Sequence, residues 1–413
     1  MNTIATKRSN MQAIIAFVVM FVVIGIGLVA PQYLASNHEN APLVPPLEIE
    51  ANAKDDNLLV GIVVSYTDNP DEGAGWSIAG EGASVALWRL KQGDSNVSAR
   101  VISDNGNEVG ARSAVATLKQ DKAAAIIALT TGSHTKILAS EAAAAGIPVI
   151  FPYEKSSQPA SNAWYFRKNE PDFRSMSSEL SHQLKCAQPV VIEGDGRVNA
   201  PKTGEVTVLP GQESAAVAEV IRLHSQQQAD CLFLDVNAKS AAEIIKQTRA
   251  NNIDFPIVGS FDLLNPLFQQ SLGSNIRSIG AVYSIGTEST NVMAMKNDSV
   301  GARAGIFNHA VRLMKDNKSL RSFDTSKPFA EVSGFADSWS HDAILAAVGL
   351  NRADELSTVN FKQRAMEFDS AGLPFINESL FNSAGNNSTP RLLQATVIDG
   401  RLSWFYTGSH ATK

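Results

Sequence analysis

Residues 125–152 read AIIALTTGSHTKILASEAAAAGIPVIFP. A short, unbroken apolar run gives way at Thr130-Thr131-Gly132 to a polar turn, then to an alanine-rich stretch, then to Gly146 and a second apolar run. An apolar run of that length, without alternation, is a strand covered on both faces. Thr135–Ala145 is a helix built from strong helix formers and stopped by glycine. Strand, helix and strand in this order make a βαβ unit, which demands a parallel sheet with helices packed on it.

The same grammar runs outward in both directions. Upstream, LLVGIVVS (58–65) and ARVISD (99–104) read as strands, and Ala83–Gln92 and Val109–Gln120 as helices. Downstream, helix Phe173–Leu184 leads to strands PVVIEG (189–194) and EVTVLP (205–210). Helix Ala215–Gln227, strand CLFLDV (231–236), helix Ala241–Asn251 and strand FPIVGS (255–260) follow. IGAVYS (279–284) is a further strand, Val300–Lys315 and Ser338–Asn351 are helices, and ATVIDGRLSWFY (395–406) is a hairpin turning at Asp399-Gly400. The expected fold class is α/β, with two doubly wound lobes of parallel sheet. Such sheets take ligands beyond the carboxyl ends of their strands.

Composition narrows the function classes. The chain has 413 residues, enough for two or three domains at about 100–200 residues each. Lys plus Arg number 35 against 41 Asp plus Glu, so the net charge of −6 speaks against nucleic acid as a partner. Two cysteines, Cys186 and Cys231, exclude a four-cysteine zinc site. No HExxH, GxSxG or phosphate-binding glycine loop occurs, and the seven histidines lack metal spacing. No cofactor, metal or catalytic residue is expected, and the chain is not read as an enzyme.

The N-terminus addresses a membrane. Ala13–Ala30, AIIAFVVMFVVIGIGLVA, is 18 uncharged residues, just long enough to span a bilayer. Lys7 and Arg8 precede it and the next basic residue is Lys54, which places residues 1–12 in the cytoplasm and the rest outside. The competing reading is a cleaved signal peptide, for which Leu34-Ala35-Ser36 is a poor cleavage site. No cysteine follows to carry a lipid anchor. Residues 31–57, with three prolines in HENAPLVPPLEIEANAKDDN, read as an extracytoplasmic linker.

Four stretches carry a family resemblance: VGIVVSYTDNPDEGAGWSIAGEGASVAL (60–87), residues 125–152, AWYFRKNEPDF (163–173) and GFADSWSHDAILAAVGL (334–350). In order and spacing they resemble the type I periplasmic binding proteins, specifically the branched-chain amino acid and amide group of ABC importers. The resemblance covers about Leu58 to Tyr406. It implies a hinge of three crossings, near Asn169–Asp172, Ser284–Thr287 and Asp369–Pro374. One lobe then holds 58–172 and 285–365, the other 173–284 and 366–413.

It also implies a ligand site. Thr131, Ser133 and His134, in the turn that opens a helix, would meet a ligand carboxylate through bare N–H groups. Plain capping by Ser133 or Thr131 accounts for the same residues. Tyr153, Glu154 and Lys155 replace the family's small residues and either fill part of the cleft or select another ligand. Trp76 is an aromatic lid or an interlobe packing residue. Asp262 or Asp195 would meet an ammonium, though either also suits a helix cap. His341 stands where the family has Tyr, at the start of the late helix. The loop GDGRVNAPKTG (194–204) has lost the family's helix. In a doubly wound sheet Cys186 and Cys231 lie at the same ends of neighbouring strands, which permits a disulfide in an oxidising compartment; two buried thiols are the alternative.

Two functions follow as expectations. The first is a membrane-tethered extracytoplasmic solute-binding protein that closes on an amino acid or related small polar solute and docks on an ABC permease. The second is a structural or regulatory subunit of a membrane complex that keeps the fold without binding solute. A complete polar cleft favours the first; a cleft plugged by Trp76 or Tyr153 favours the second.

Overall fold

In the computed structural model the described residues are 57–66, 73–93, 95–155, 162–167, 172–200, 204–208, 211–323, 326–352, 375–377 and 392–407. The apolar run 13–30, the linker 31–56 and the crossing at 369–374 lie outside them, as does 169–171 of the first crossing. Among the described residues no helix is long and apolar enough to cross a membrane.

The first sheet is built from β1 (Leu58–Val64), β2 (Val97–Ser103), β3 (Ala125–Leu129), β4 (Val149–Phe151) and β5 (Ala163–Tyr165). Its order is β2-β1-β3-β4-β5 and every pairing is parallel. Between the strands run α1 (Ala74–Ala79), α2 (Glu81–Gln92), α3 (Glu108–Gln120) and α4 (Thr135–Ala145). All of β3 is buried, as the unbroken apolar run requires. Helix starts follow local chemistry: the Asn107 side chain accepts from the Gly110 N–H at the start of α3. Gly146, at φ 75°, ends α4 in the left-handed region.

The second sheet has α5 (Phe173–Leu184), β6 (Pro189–Glu193), β7 (Arg197–Ala200), β8 (Gly204–Thr207), α6 (Glu213–Ser225), β9 (Cys231–Asp235), α7 (Ala238–Ala250), β10 (Ile257–Gly259), α8 (Pro266–Leu272) and β11 (Val282–Ile285). Helices α9 (Ser299–Asp316) and α10 (Ser338–Arg352) follow, then β12 (Leu392–Ile398) and β13 (Arg401–Tyr406). The strand order is β13-β12-β11-β10-β9-β6-β7-β8.

This sheet corrects the expectation of two wholly parallel sheets. Only β6, β9, β10 and β11 run parallel. β7 and β8 pair antiparallel, as does the C-terminal hairpin on β11. The reason is loop length. Residues 194–196 alone join β6 to β7, with Gly196 at φ 89°, whereas a parallel crossover needs about a dozen residues. EVTVLP, expected within the parallel set, thus becomes the antiparallel edge strand β8. The Asp399-Gly400 hairpin turn has both residues at positive φ, 51° and 76°, as a two-residue turn of this hand demands.

Cys186 and Cys231 are joined in a disulfide, with Cα atoms 5.9 Å apart. Strands β6 and β9 pair in parallel, which sets Cys231 opposite Pro189 and near Cys186. α10 returns to the first sheet and packs on α2. Gly82 permits the approach, because a Cβ there would meet the Asp337 carbonyl oxygen at 1.8 Å.

Candidate functional site

Leu129 ends β3, and the backbone turns at Gly132 (φ 120°) before α4 begins. The turn is already occupied. The Gly132 N–H donates to Glu154 Oε2 at 2.8 Å, and the Thr135 hydroxyl lies 3.4 Å from the same oxygen. Glu154 Oε1 accepts from the Lys155 N–H. A carboxylate of the chain itself therefore occupies the turn just ahead of α4. Burial raises the Glu154 pKa, opposed by the Gly132 N–H and the Arg167 charge. Gly73 seals the turn from the other side: at φ 82°, a Cβ there would meet Thr130 Oγ1 at 2.4 Å.

Neither Thr131 nor Ser133 caps α4 by its side chain; the capping position is His134, also without a side-chain bond. Thr131 is half-buried and Ser133 exposed. His134 is fully buried, with Nε2 3.0 Å from the Thr130 hydroxyl and 3.1 Å from Asp104 Oδ2. Ser65 closes this knot by donating to Asp104 Oδ1 at 2.7 Å. Sequence reading named Thr130 only as part of the turn and missed Ser65 and Asp104, whose meeting with it depends on the ends of β1, β2 and β3 being neighbours.

Beside the turn stands a stack of aromatic rings. Trp76 lies on Tyr153 with centroids 4.4 Å apart and on Phe261 at 5.2 Å. Phe261 in turn meets Trp339 at 5.0 Å. Trp76, Tyr153 and Phe261 are 2%, 0% and 2% exposed. Trp76 and Tyr153 come from segments flanking the first sheet, Phe261 from the turn after β10, so the stack joins the two halves. Arg167 fastens it, donating to the Tyr153 carbonyl at 2.8 Å and lying 3.8 Å over the Phe261 ring. The Tyr153 hydroxyl donates to Asp337 Oδ2 at 2.8 Å. Burial pushes the Asp337 carboxyl up to about 6, against the bonds from Ser340 and Tyr153. Burial, then the Asp337 charge, holds the Tyr153 hydroxyl well above its usual range. Of these residues sequence reading singled out Trp76 and Tyr153. It missed Phe261, Trp339 and Asp337, and named Arg167 only inside the Phe-Arg motif.

The halves also touch away from the stack. Gly75 in α1 lies so close to Asn265, ahead of α8, that a Cβ would meet Asn265 Oδ1 at 2.2 Å. The remaining expected site residues are dispersed. Asp262 is half-buried in the turn after Phe261. Asp195 is exposed in the β6–β7 turn and paired with Arg197 Nε at 2.7 Å. His341 is fully buried in the first turn of α10, its Nδ1 3.0 Å from Asp342 and its Nε2 3.3 Å from Arg89. Among the described residues the one cluster of metal-ligating types, Cys186, Asp230 and Cys231, is committed to the disulfide and to the Ala187 and Gln188 N–H groups.

No family model matches the sequence, and no curated protein matches it. Solved structures do match in shape. The branched-chain amino acid transporter substrate binding protein LivJ of Streptococcus pneumoniae, in complex with isoleucine, superposes with a TM-score of 0.56. It is 16% identical, over 84% of this chain and 98% of that one. An extracellular ligand-binding receptor of Rhodopseudomonas palustris gives 0.54 at 15% identity, covering 85% and 100%. The leucine binding protein LivK of Thermotoga maritima gives 0.52 at 12%, covering 84% and 97%. At such identities the likeness establishes architecture, and on that evidence the chain has the type I periplasmic binding protein fold.

Proposed function

We propose that this chain is an extracytoplasmic structural or regulatory subunit of a membrane complex, with a binding-protein fold whose amino-acid site is filled by its own side chains. Ala13–Ala30 tethers it as a single-pass anchor, residues 31–57 space it from the bilayer, and the two lobes divide at the three crossings that the sequence suggests. The partner is an ABC permease or another integral subunit. The observation that carries this reading is Glu154 in the Gly132 turn, with the Tyr153–Trp76–Phe261 stack beside it. An incoming carboxylate at that turn would lack the Gly132 N–H and face a like charge within a few ångströms. Its side chain would have to displace buried aromatic rings.

A second reading is supported by the isoleucine complex of LivJ, which this chain matches over 98% of that protein's length. In it the chain is the solute-binding protein of an ABC importer, and the stack parts to admit an amino acid. A thermal-shift screen of the full chain against amino acids and amides separates the two. Binding to the native state alone raises stability by about 2.7 kcal/mol at a hundredfold excess over Kd. The filled-site reading predicts no shift from any member. A shift that disappears in Ser133→Ala or Asp262→Ala would move the assignment to the importer.

A further inference from the structure

The first turn of α10 carries a buried charged cluster that plays no part in the Gly132 turn. His341, Asp342 and Arg89 are 0%, 0% and 5% exposed. From α10 the Asp342 carboxylate reaches the described segment 375–377. It accepts from the Ile376 N–H at 3.1 Å, and from the Asn377 N–H and Nδ2 at 2.8 and 2.9 Å. The Ser338 hydroxyl donates to Asn377 Oδ1 at 3.3 Å. Phe375, Ile376 and Asn377 are all buried. One carboxylate thus stitches this stretch of chain to the helix. Residues 369–374, which the sequence marks as the third crossing, end directly before it.

Hydrogen-bond chemistry fixes the proton on His341. Guanidinium nitrogens only donate, so His341 Nε2, 3.3 Å from Arg89 Nη1, is the acceptor. The ring proton is then on Nδ1, which donates to Asp342 Oδ1 at 3.0 Å. His341 is therefore neutral. A second proton would put an N–H on Nε2, facing the Arg89 donors, and would set two cations together in a buried place. Burial holds the ring below the ordinary histidine value, opposed by Asp342. Burial pushes Arg89 down only to about 10, so it keeps its charge at neutral and acid pH.

The elements around the ring supply few other charges. α9 presents the Phe307 ring edge-on at 5.2 Å, with Arg303 one turn earlier. β1, β3 and β4, which pack on α10, carry no titratable residue, and neither does 375–377. On α2, Glu81 is eight residues before Arg89, about 12 Å along the helix. Asp337, just ahead of α10, is a further buried acid, its carboxyl pushed up to about 6 by burial.

We infer that His341 is an acid-sensitive latch: neutral, it lets Asp342 hold Ile376 and Asn377 to α10; protonated, it sets its charge against Arg89 across the contact of α10 with α2, and the segment is released. The inference goes beyond the proposed function, since the latch works whether the Gly132 turn is filled or open. The released segment leaves an ordinary imidazole, which takes a proton more readily than the buried one. The latch is therefore at full strength above about pH 6.5 and weakens as pH falls below it. Asp337 acts in the opposite sense, because its raised carboxyl favours the folded state as pH falls.

Hydrogen exchange of the peptide containing Ile376 and Asn377, measured on the full chain in detergent, reads the latch directly. After correction for the pH dependence of free amides, protection should fall roughly tenfold or more between about pH 7.5 and about pH 4.5. His341→Gln, which cannot take up the proton, should hold protection constant. Arg89→Gln, which removes the opposing charge, should lose most of the response, and Asp337→Asn should keep it. Wild-type protection unchanged over this range overturns the latch. So does a fall that survives at full size in either His341→Gln or Arg89→Gln, and so does a response abolished by Asp337→Asn. Each of the first two variants is decisive by itself, so a failure of one to fold leaves the other to test the inference.

Discussion

At the scale of single residues, the molecule spends its buried polar groups on itself. Glu154 answers the Gly132 N–H, Asp337 answers Tyr153, and Asp104 answers Ser65 and His134. Asp337 makes this measurable. Its carboxyl titrates near 6 in the folded chain, against 3.8 for the free group. Between those values the native state holds a proton that the unfolded chain has released. Its contribution to stability is therefore fully present below about pH 4 and declines as pH rises towards 6. Asp337→Asn should flatten that segment of the stability–pH curve and raise the midpoint of urea unfolding at pH 7 relative to wild type. A slope unchanged from pH 4 to 6 would show that Asp337 is not the titrating group. Trp76→Ala should cost about 3–5 kcal/mol, since it empties the middle of a three-ring stack; urea unfolding measures it. The sequence made Tyr153 and Glu154 conspicuous, because large side chains stood where the resemblance implies small ones, and Trp76 because the resemblance implies an aromatic there. It could not show that Phe261 meets Trp76, because that contact joins segments more than a hundred residues apart.

At the scale of elements, hydrophobic periodicity was a good guide wherever burial follows from local pattern. Thr135–Ala145 and Phe173–Leu184 end where glycine and αL chemistry end them, and the hairpin turns at Asp399-Gly400. The guide failed at β7 and β8. RVNA is too short and too polar to announce a strand, and direction of pairing is not written in periodicity at all. The stretch 194–204 was legible as having lost a helix, but not as a reversal. The disulfide ties the end of α5 to β9 across 45 residues of chain. Closing a loop of that length stabilises by about 4 kcal/mol in the chain-entropy model. Reduction should therefore lower Tm clearly, and Cys186→Ala/Cys231→Ala should reproduce the loss; an unchanged Tm under reductant would contradict it. Gly75→Val should strain the contact of α1 with the Asn265 turn by about 1–3 kcal/mol, read as a lowered urea midpoint.

At the scale of the whole molecule, the two halves are held together by contacts between the chain's own side chains. The rings of Trp76, Tyr153 and Phe261 are buried against one another, and Gly75 lies against Asn265. A domain clasped in this way is suited to holding one shape beside a membrane partner rather than opening and closing on each solute. The anchor proposed at Ala13–Ala30 belongs to the same picture. Full-length chain should remain in the membrane fraction through alkaline extraction, with Leu58–Tyr406 open to protease from outside the cell. The central claim, that the amino-acid site is filled by the chain itself, meets its most direct test in a calorimetric titration of isoleucine and leucine into the full wild-type chain. The account predicts no saturable heat from either. A one-to-one isotherm from either amino acid would contradict it.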